Sequence, residues 1–155
     1  MDTQAIELMG RNRLVDELLM ADLEVAVPLR DRGIDLIAYV DLASVTSAFA
    51  AVPIQMKAAS TRAFSLDQKY SRISNLILAY VWGLKTPEHA QTYALTYQEA
   101  LDVATHLGWT KTPSWEQGKY STSAPSQELR LLLEQYKMSP SAWRRKLSNV
   151  SGIAF

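Results

Sequence analysis

Apolar and polar positions along this chain fall into blocks whose period changes, and the changes mark the elements. Over residues 3–21, Leu14, Val15, Leu18, Leu19 and Ala21 make an apolar stripe at helical spacing, with Thr3 placed to cap the segment. Gly10 interrupts it, at a cost of about 1 kcal/mol against alanine. Glu24-Val25-Ala26-Val27 reads as a short strand ended by Pro28, and Arg30-Asp31-Arg32-Gly33 as a turn. Residues 34–40 and 52–58 read as two further strands, joined by a hairpin connection over 41–50.

Residues 65–74 are predicted as a helix with Ser65 as its cap. The run from Leu76 to Trp82 is nearly continuous in apolar residues, the signature of a strand covered on both faces. Residues 85–88 turn the chain and 92–95 form another strand. Thr96-Tyr97-Gln98-Glu99 then has the capping-box pattern, opening a helix that runs to Leu107 and ends at Gly108. Residues 109–124, with Trp109, Trp115 and Tyr120, are predicted as an ordered loop. Pro125 opens a helix with Leu129, Leu132, Leu133 and Tyr136 on one face, and Ser139-Pro140 starts a last one. The order α-β-β-β-α-β-β-α-α-α describes an α/β domain with a mixed sheet and extra C-terminal helices.

Composition narrows what such a domain does. At 155 residues, with 48% hydrophobic and 21% charged residues, the chain is expected to form a single folded domain. It holds no cysteine, which excludes a disulfide framework, a thiolate zinc site and a cysteine nucleophile. No secretory signal and no membrane-length apolar run is visible, so a cytoplasmic protein without a membrane partner is expected. Net charge is zero, but residues 1–50 hold nine acids and four bases while 51–155 hold seven and twelve. Two basic groups result: Lys57, Arg62, Lys69 and Arg72, then Lys137, Arg144, Arg145 and Lys146. No Gly-rich phosphate loop is present, and His89 and His106 have no spaced partner.

The chemistry concentrates in two predicted strands. Asp35 interrupts the first, and Gln55 and Lys57 lie two apart on the next, so period-two alternation puts them on one face with Met56 on the other. A hairpin would bring an acid, an amide and an ammonium together. Phosphodiester hydrolysis uses such a set, with oxygen ligands for a divalent metal and a cation beside the reacting phosphate.

With an N-terminal helix, Asp35 on a strand, and Gln55-Met56-Lys57 on its hairpin partner, residues 1–82 resemble the PD-(D/E)XK nuclease superfamily. The resemblance implies a restriction-endonuclease-like α-β-β-β-α-β core, with residues 83–155 as subfamily-specific additions within one domain, 1–155. It implies a magnesium-dependent endonuclease that hydrolyses DNA, with manganese as a substitute and a homodimer as a plausible assembly. In this scheme Asp35, Gln55 and the Met56 carbonyl ligate the metal and Lys57 stabilises the transition state. Glu7 supplies the helical acid that orients the attacking water. Glu17 is a second candidate for that acid, about 80° away around the helix, and Arg11 is placed to pair with Glu7 on its surface. The sequence departs from the family pattern at Gln55, a neutral ligand where a carboxylate is usual. A catalytically inactive domain that binds nucleic acid or a protein partner is therefore the alternative, and a structural Asp35–Lys57 ion pair a third reading. Ser60, Thr61, Arg62 and Lys69 are the expected nucleic-acid contacts, with residues 137–146 behind them. The tryptophans and Tyr120 are expected to pin loops to the core.

Overall fold

The computed structural model describes residues 1–41 and 48–154. Helix α1 (Thr3–Met20) is capped one residue earlier than expected, by Asp2, whose carboxylate accepts the Ala5 amide at 2.8 Å. The strands in chain order are β1 (Glu24–Ala26), β2 (Leu36–Tyr39), β3 (Ala51–Ala58), β4 (Phe64–Asp67), β5 (Ile77–Trp82), β6 (Gln91–Thr96) and β7 (Lys119–Thr122). Five of them form a sheet in the order β1-β2-β3-β5-β6. The β3–β5 pair runs parallel and the other neighbours run antiparallel, so the domain is α/β with a mixed sheet. The hairpin connection expected over 41–50 falls mainly at 42–47, outside the described residues.

Two cores lie on the two faces of this sheet. Leu36, Ala38, Ile54, Met56, Ile77 and Ala79 face α1 and helix α5 (Pro140–Ser151), where Trp143 and Leu147 fill the layer. Leu78, Tyr80, Trp82 and Leu95 face helices α2 (Tyr97–His106) and α4 (Gln127–Leu133), together with Phe64 and Leu66 from β4. All six residues of β5 are buried, as a strand covered on both sides requires. The capping box of α2 is present, with Thr96 Oγ1 accepting the Glu99 amide and a Glu99 oxygen accepting the Thr96 amide at 2.9 Å. Gly108 closes the helix with a positive φ of 77°.

The helix predicted over 65–74 is absent. Its place is taken by β4 and a 3₁₀ segment, Gln68–Arg72. Phe64 and Leu66 are buried while Ser65 and Asp67 are half-buried, a period of two that pairs with β7 through Leu66↔Tyr120. Ser65 is thus a strand residue, and Asp67 caps the 3₁₀ segment by accepting the Lys69 amide. The predicted loop over 109–124 holds a 3₁₀ turn at Trp109–Lys111, the short helix α3 (Pro113–Glu116) and β7. Trp109 stacks on Tyr120 with ring centres 4.2 Å apart, so these aromatics do fasten the segment to the core. Ser126, rather than Pro125, caps α4. Among the described residues no helix is long and apolar enough to cross a membrane.

Gly10 is the residue that sets α1 against the sheet. A Cβ at this position would lie 2.8 Å from the Ala58 Cβ and 3.2 Å from Met56 Sδ. The helix backbone therefore approaches the end of β3 more closely than any side chain would allow. That contact places the first two turns of α1 beside Gln55 and Lys57.

Candidate active site

Asp35 precedes β2 and its amide donates to the Ile54 carbonyl at 2.9 Å, which holds it beside β3. The antiparallel register Leu36↔Ile54 sets Asp35 across from Gln55. Asp35, Gln55 and Lys57 then leave the same side of the two strands, opposite the buried Leu36, Ile54 and Met56. A cleft of about 320 Å³ receives all three, and Glu7 and Arg11 line it from one face of α1. Asp31, Ser65 and the chain at Ala58, Ala59 and Ala63 complete its wall.

Within the cleft Asp35, Lys57 and the Gln55 amide nitrogen each have a defined partner. The Met56 amide donates to Asp35 Oδ2 at 2.7 Å. Lys57 Nζ donates to the Tyr70 hydroxyl at 2.9 Å and lies 5.1 Å from that ring's centre. Asp35 and Lys57 are therefore each held by another group, and the structural ion pair between them does not form. Gln55 Nε2 donates to the Met56 carbonyl at 3.2 Å. That acceptor fixes the amide's orientation, since the reverse would set two oxygens against each other. Gln55 Oε1 is left buried with no hydrogen-bond partner, and so is Arg11 Nε. Among the described residues no ion pair joins Arg11 to Glu7.

Burial raises the Asp35 carboxyl above its ordinary value of 3.8, opposed by the Met56 amide. Asp31 raises it further, whereas the charges of Arg11 and Lys57 lower it. The site thus holds a half-buried carboxylate of unfavourable charge, an unpaired carbonyl oxygen and two cations.

This donor set fits a hard divalent cation. Asp35, Gln55 Oε1 and the Met56 carbonyl offer oxygen only, and the buried, unpaired Oε1 is satisfied by such an ion. Among the described residues no three His, Asp or Glu side chains are grouped to hold a metal. An ion here would accordingly rest on one carboxylate and neutral oxygens, with Glu7 at the wall of the same cleft.

The other expected site residues part company. Glu17 lies away from the cleft: its Oε1 accepts from Thr92 Oγ1 at 2.8 Å and its Oε2 from Trp143 Nε1 at 3.2 Å. Ser60, Thr61 and Arg62 open onto a different, larger cleft across the 58–63 segment. Lys69 is exposed, 4.0 Å from Asp67 Oδ2 and 5.2 Å from the Tyr70 ring centre. Of the C-terminal basic group, Lys146 binds both Glu99 oxygens at 2.7 and 2.8 Å, and Arg144 reaches the Ala21 carbonyl. Those two are structural cations, and Lys137 alone of the four lines the larger cleft.

Sequence reasoning missed Asp31, Tyr70 and the electrostatic role of Arg11. The i, i+4 spacing of Glu7 and Arg11 was the available signal for the last. Asp31 and Tyr70 carry no local signal, because a turn and a 3₁₀ segment bring them in. Comparison with known families, with curated proteins and with solved structures finds no match to this chain.

Proposed function

We propose that this protein is a metal-dependent endonuclease that hydrolyses DNA phosphodiester bonds, of the PD-(D/E)XK type. The observation that carries the reading is the convergence of Asp35, Gln55 and Lys57 with the α1 residue Glu7 in one cleft, with Gln55 Oε1 left unpaired. The succession of α1, the strands β1 to β3 and a β5 parallel to β3 supports a restriction-endonuclease-like core. The crossover between β3 and β5 departs from that plan, being a strand and a 3₁₀ segment where the plan has a helix.

In this reading Asp35, Gln55 Oε1 and the Met56 carbonyl hold magnesium or manganese, which when bound supplies charge neutralisation at the phosphate. Asp35 keeps one oxygen on the Met56 amide, so its other oxygen is the one directed to the ion. Lys57, held by Tyr70 Oη, places its ammonium where negative charge grows on the phosphate oxygens. Glu7 orients the attacking water and accepts its proton. Arg11, at the wall of the cleft, adds a second positive charge toward the phosphate.

The test is cleavage of supercoiled and branched DNA with magnesium or manganese, comparing wild type with Lys57→Ala purified identically. Nicking lost in the variant alone establishes activity and site together. One observation favours a second reading: Gln55 brings no charge where the family's pattern has an acid, as expected of a catalytically inactive nucleic-acid binder. DNA binding at low salt without cleavage by either protein would select that reading.

A further inference from the structure

Across the 58–63 segment from the Asp35 cleft lies a second cleft of about 770 Å³. Its cations come from three distant parts of the chain: Arg62 after β3, Lys85 after β5, and Arg130 and Lys137 from α4 and the turn beyond it. The hydroxyls of Ser60 and Thr61 share it, and no Asp or Glu lines it. Glu134 stands beside it, 3.8 Å from Lys137 Nζ, and its charge also reaches the Tyr93 wall. Arg130 Nε is buried with no hydrogen-bond partner. The Tyr93 phenol is pushed up by burial and by Glu134 and lowered by Arg62 and Arg130, so all three charges lie within electrostatic reach of this wall.

Backbone pairing makes that wall rigid. Gly83 N donates to Thr61 O at 2.7 Å, Lys85 N to Ser60 O at 2.9 Å and Ala59 N to Val81 O at 2.9 Å. The same segment bounds both clefts, with Ala58, Ala59 and Ala63 on one side and Ser60, Thr61 and Arg62 on the other. Arg62, Lys85 and Lys137 are exposed around the partly buried Arg130, and with no carboxylate in the lining the cleft carries a positive field that attracts an anion. The two large aromatics of the cleft are turned away from any base: Trp82 and Tyr93 are buried edge to face, and Trp82 Nε1 is committed to the Ala63 carbonyl, which leaves the exposed His89 as the one aromatic ring at its rim among the described residues. Guanidinium, ammonium and hydroxyl donors dominate the lining, a set suited to phosphate oxygens.

We infer that this cleft seats backbone phosphates of a DNA strand that continues past the 58–63 segment from the scissile phosphate. The inference rests on the nuclease reading for the position of that scissile phosphate. It predicts binding that is independent of sequence and strongly dependent on salt.

The experiment measures anisotropy of a labelled oligonucleotide against salt concentration, in a chelating buffer so that no cleavage occurs. Arg62→Gln with Lys85→Gln alters two exposed side chains and leaves the fold intact; Arg130→Gln is added as a second variant, and Lys111→Gln, exposed and outside both clefts, is the control. Each lost phosphate contact makes the plot of log affinity against log salt shallower by about 0.7 to 0.9. The double variant is expected to lose about 1.4 to 1.8 from the slope, the triple variant more, and the control nothing. An unchanged slope in the double variant overturns the subsite and leaves the nuclease reading standing. A reduced slope in a protein that never cuts DNA upholds the subsite and overturns the nuclease reading. Inorganic phosphate competing as tightly as the oligonucleotide would make the ligand a free anion, and the strand proposal would fail.

Discussion

Helix α1 carries a carboxylate cluster near each end, and the two clusters are finished to different degrees. At Glu17 the chain satisfies itself: Thr92, fully buried, donates to one carboxylate oxygen, and the buried Trp143 indole donates to the other. Arg13 adds an ion pair: its Nε, buried without a hydrogen bond like that of Arg11, still lies 3.1 Å from Oε1, and its Nη2 donates to the Ala90 carbonyl. At Glu7 the chain stops short. Gln55 Oε1 and Arg11 Nε are buried without partners, and Asp35 is held as a carboxylate in surroundings that disfavour its charge. Polar groups matched inside the chain fasten helices to a sheet. Groups left unmatched are matched by something that binds.

The largest expected effect belongs to the unfinished cluster. Lys57→Ala should lower DNA cleavage by about 10²- to 10³-fold, roughly 3 to 4 kcal/mol of barrier, as for loss of one donor aimed at developing charge. Its unfolding should be weakened by less than that of Glu17→Ala, by about 1 kcal/mol, since the hydrogen bond lost is the part-buried one to Tyr70. An equally active variant would remove Lys57 from the chemistry.

Glu17→Ala should show the opposite pattern. It leaves the Thr92 hydroxyl and the Trp143 indole buried without acceptors, at a cost of about 2 to 3 kcal/mol in denaturant unfolding. Cleavage per folded molecule should be unchanged. Loss of cleavage in a folded Glu17→Ala protein would break the contrast and make Glu17 the helical acid.

Gly10→Ala comes next, because it disturbs the placement of the cleft and not its chemistry. Alanine gains about 1 kcal/mol of helix propensity. Its Cβ, 2.8 Å from Ala58 Cβ, must push α1 off β3, and overpacking of this kind costs about 1 to 3 kcal/mol. The net expectation is destabilisation, read by thermal unfolding, with Glu7 and Arg11 displaced from the cleft. A stabilised variant would mean that α1 does not depend on this close approach.

These residues also show how much was legible in the sequence. The alternation that puts Gln55 and Lys57 on one face is local, whereas Asp35 joins them only through the pairing of β2 with β3, whose register continues to set it across from Gln55. The six-residue run of β5 and the Thr96–Glu99 box are local as well. The strand β4 is not: its four residues become a strand only through β7, more than fifty positions later. Gly10 reads as a flaw in a helix until Ala58 and Met56 are seen against it. No pattern in the sequence separates Glu7 from Glu17, because what distinguishes them is which other side chains arrive at each. The three-way junction of Glu17, Thr92 and Trp143 spans 126 residues.

The smallest effect is the one that tests the contrast most directly. Burial raises the Asp35 carboxyl above 3.8, so over the pH range between 3.8 and its raised value the folded protein keeps a proton that the unfolded chain has released. Folding stability therefore falls as pH rises through that range, and the whole penalty is present at neutral pH. Asp35→Asn removes the charge and retains an oxygen to accept the Met56 amide. The variant should be more stable than wild type at neutral pH by urea unfolding, with the difference shrinking as the pH is lowered toward 3.8. Magnesium should raise the unfolding temperature of wild type and leave that of the variant unchanged, because the ion supplies the missing partner only where the carboxylate exists. A variant less stable than wild type at neutral pH would show Asp35 to be a matched structural acid like Glu17. The two ends of α1 would then differ in their surroundings but not in kind.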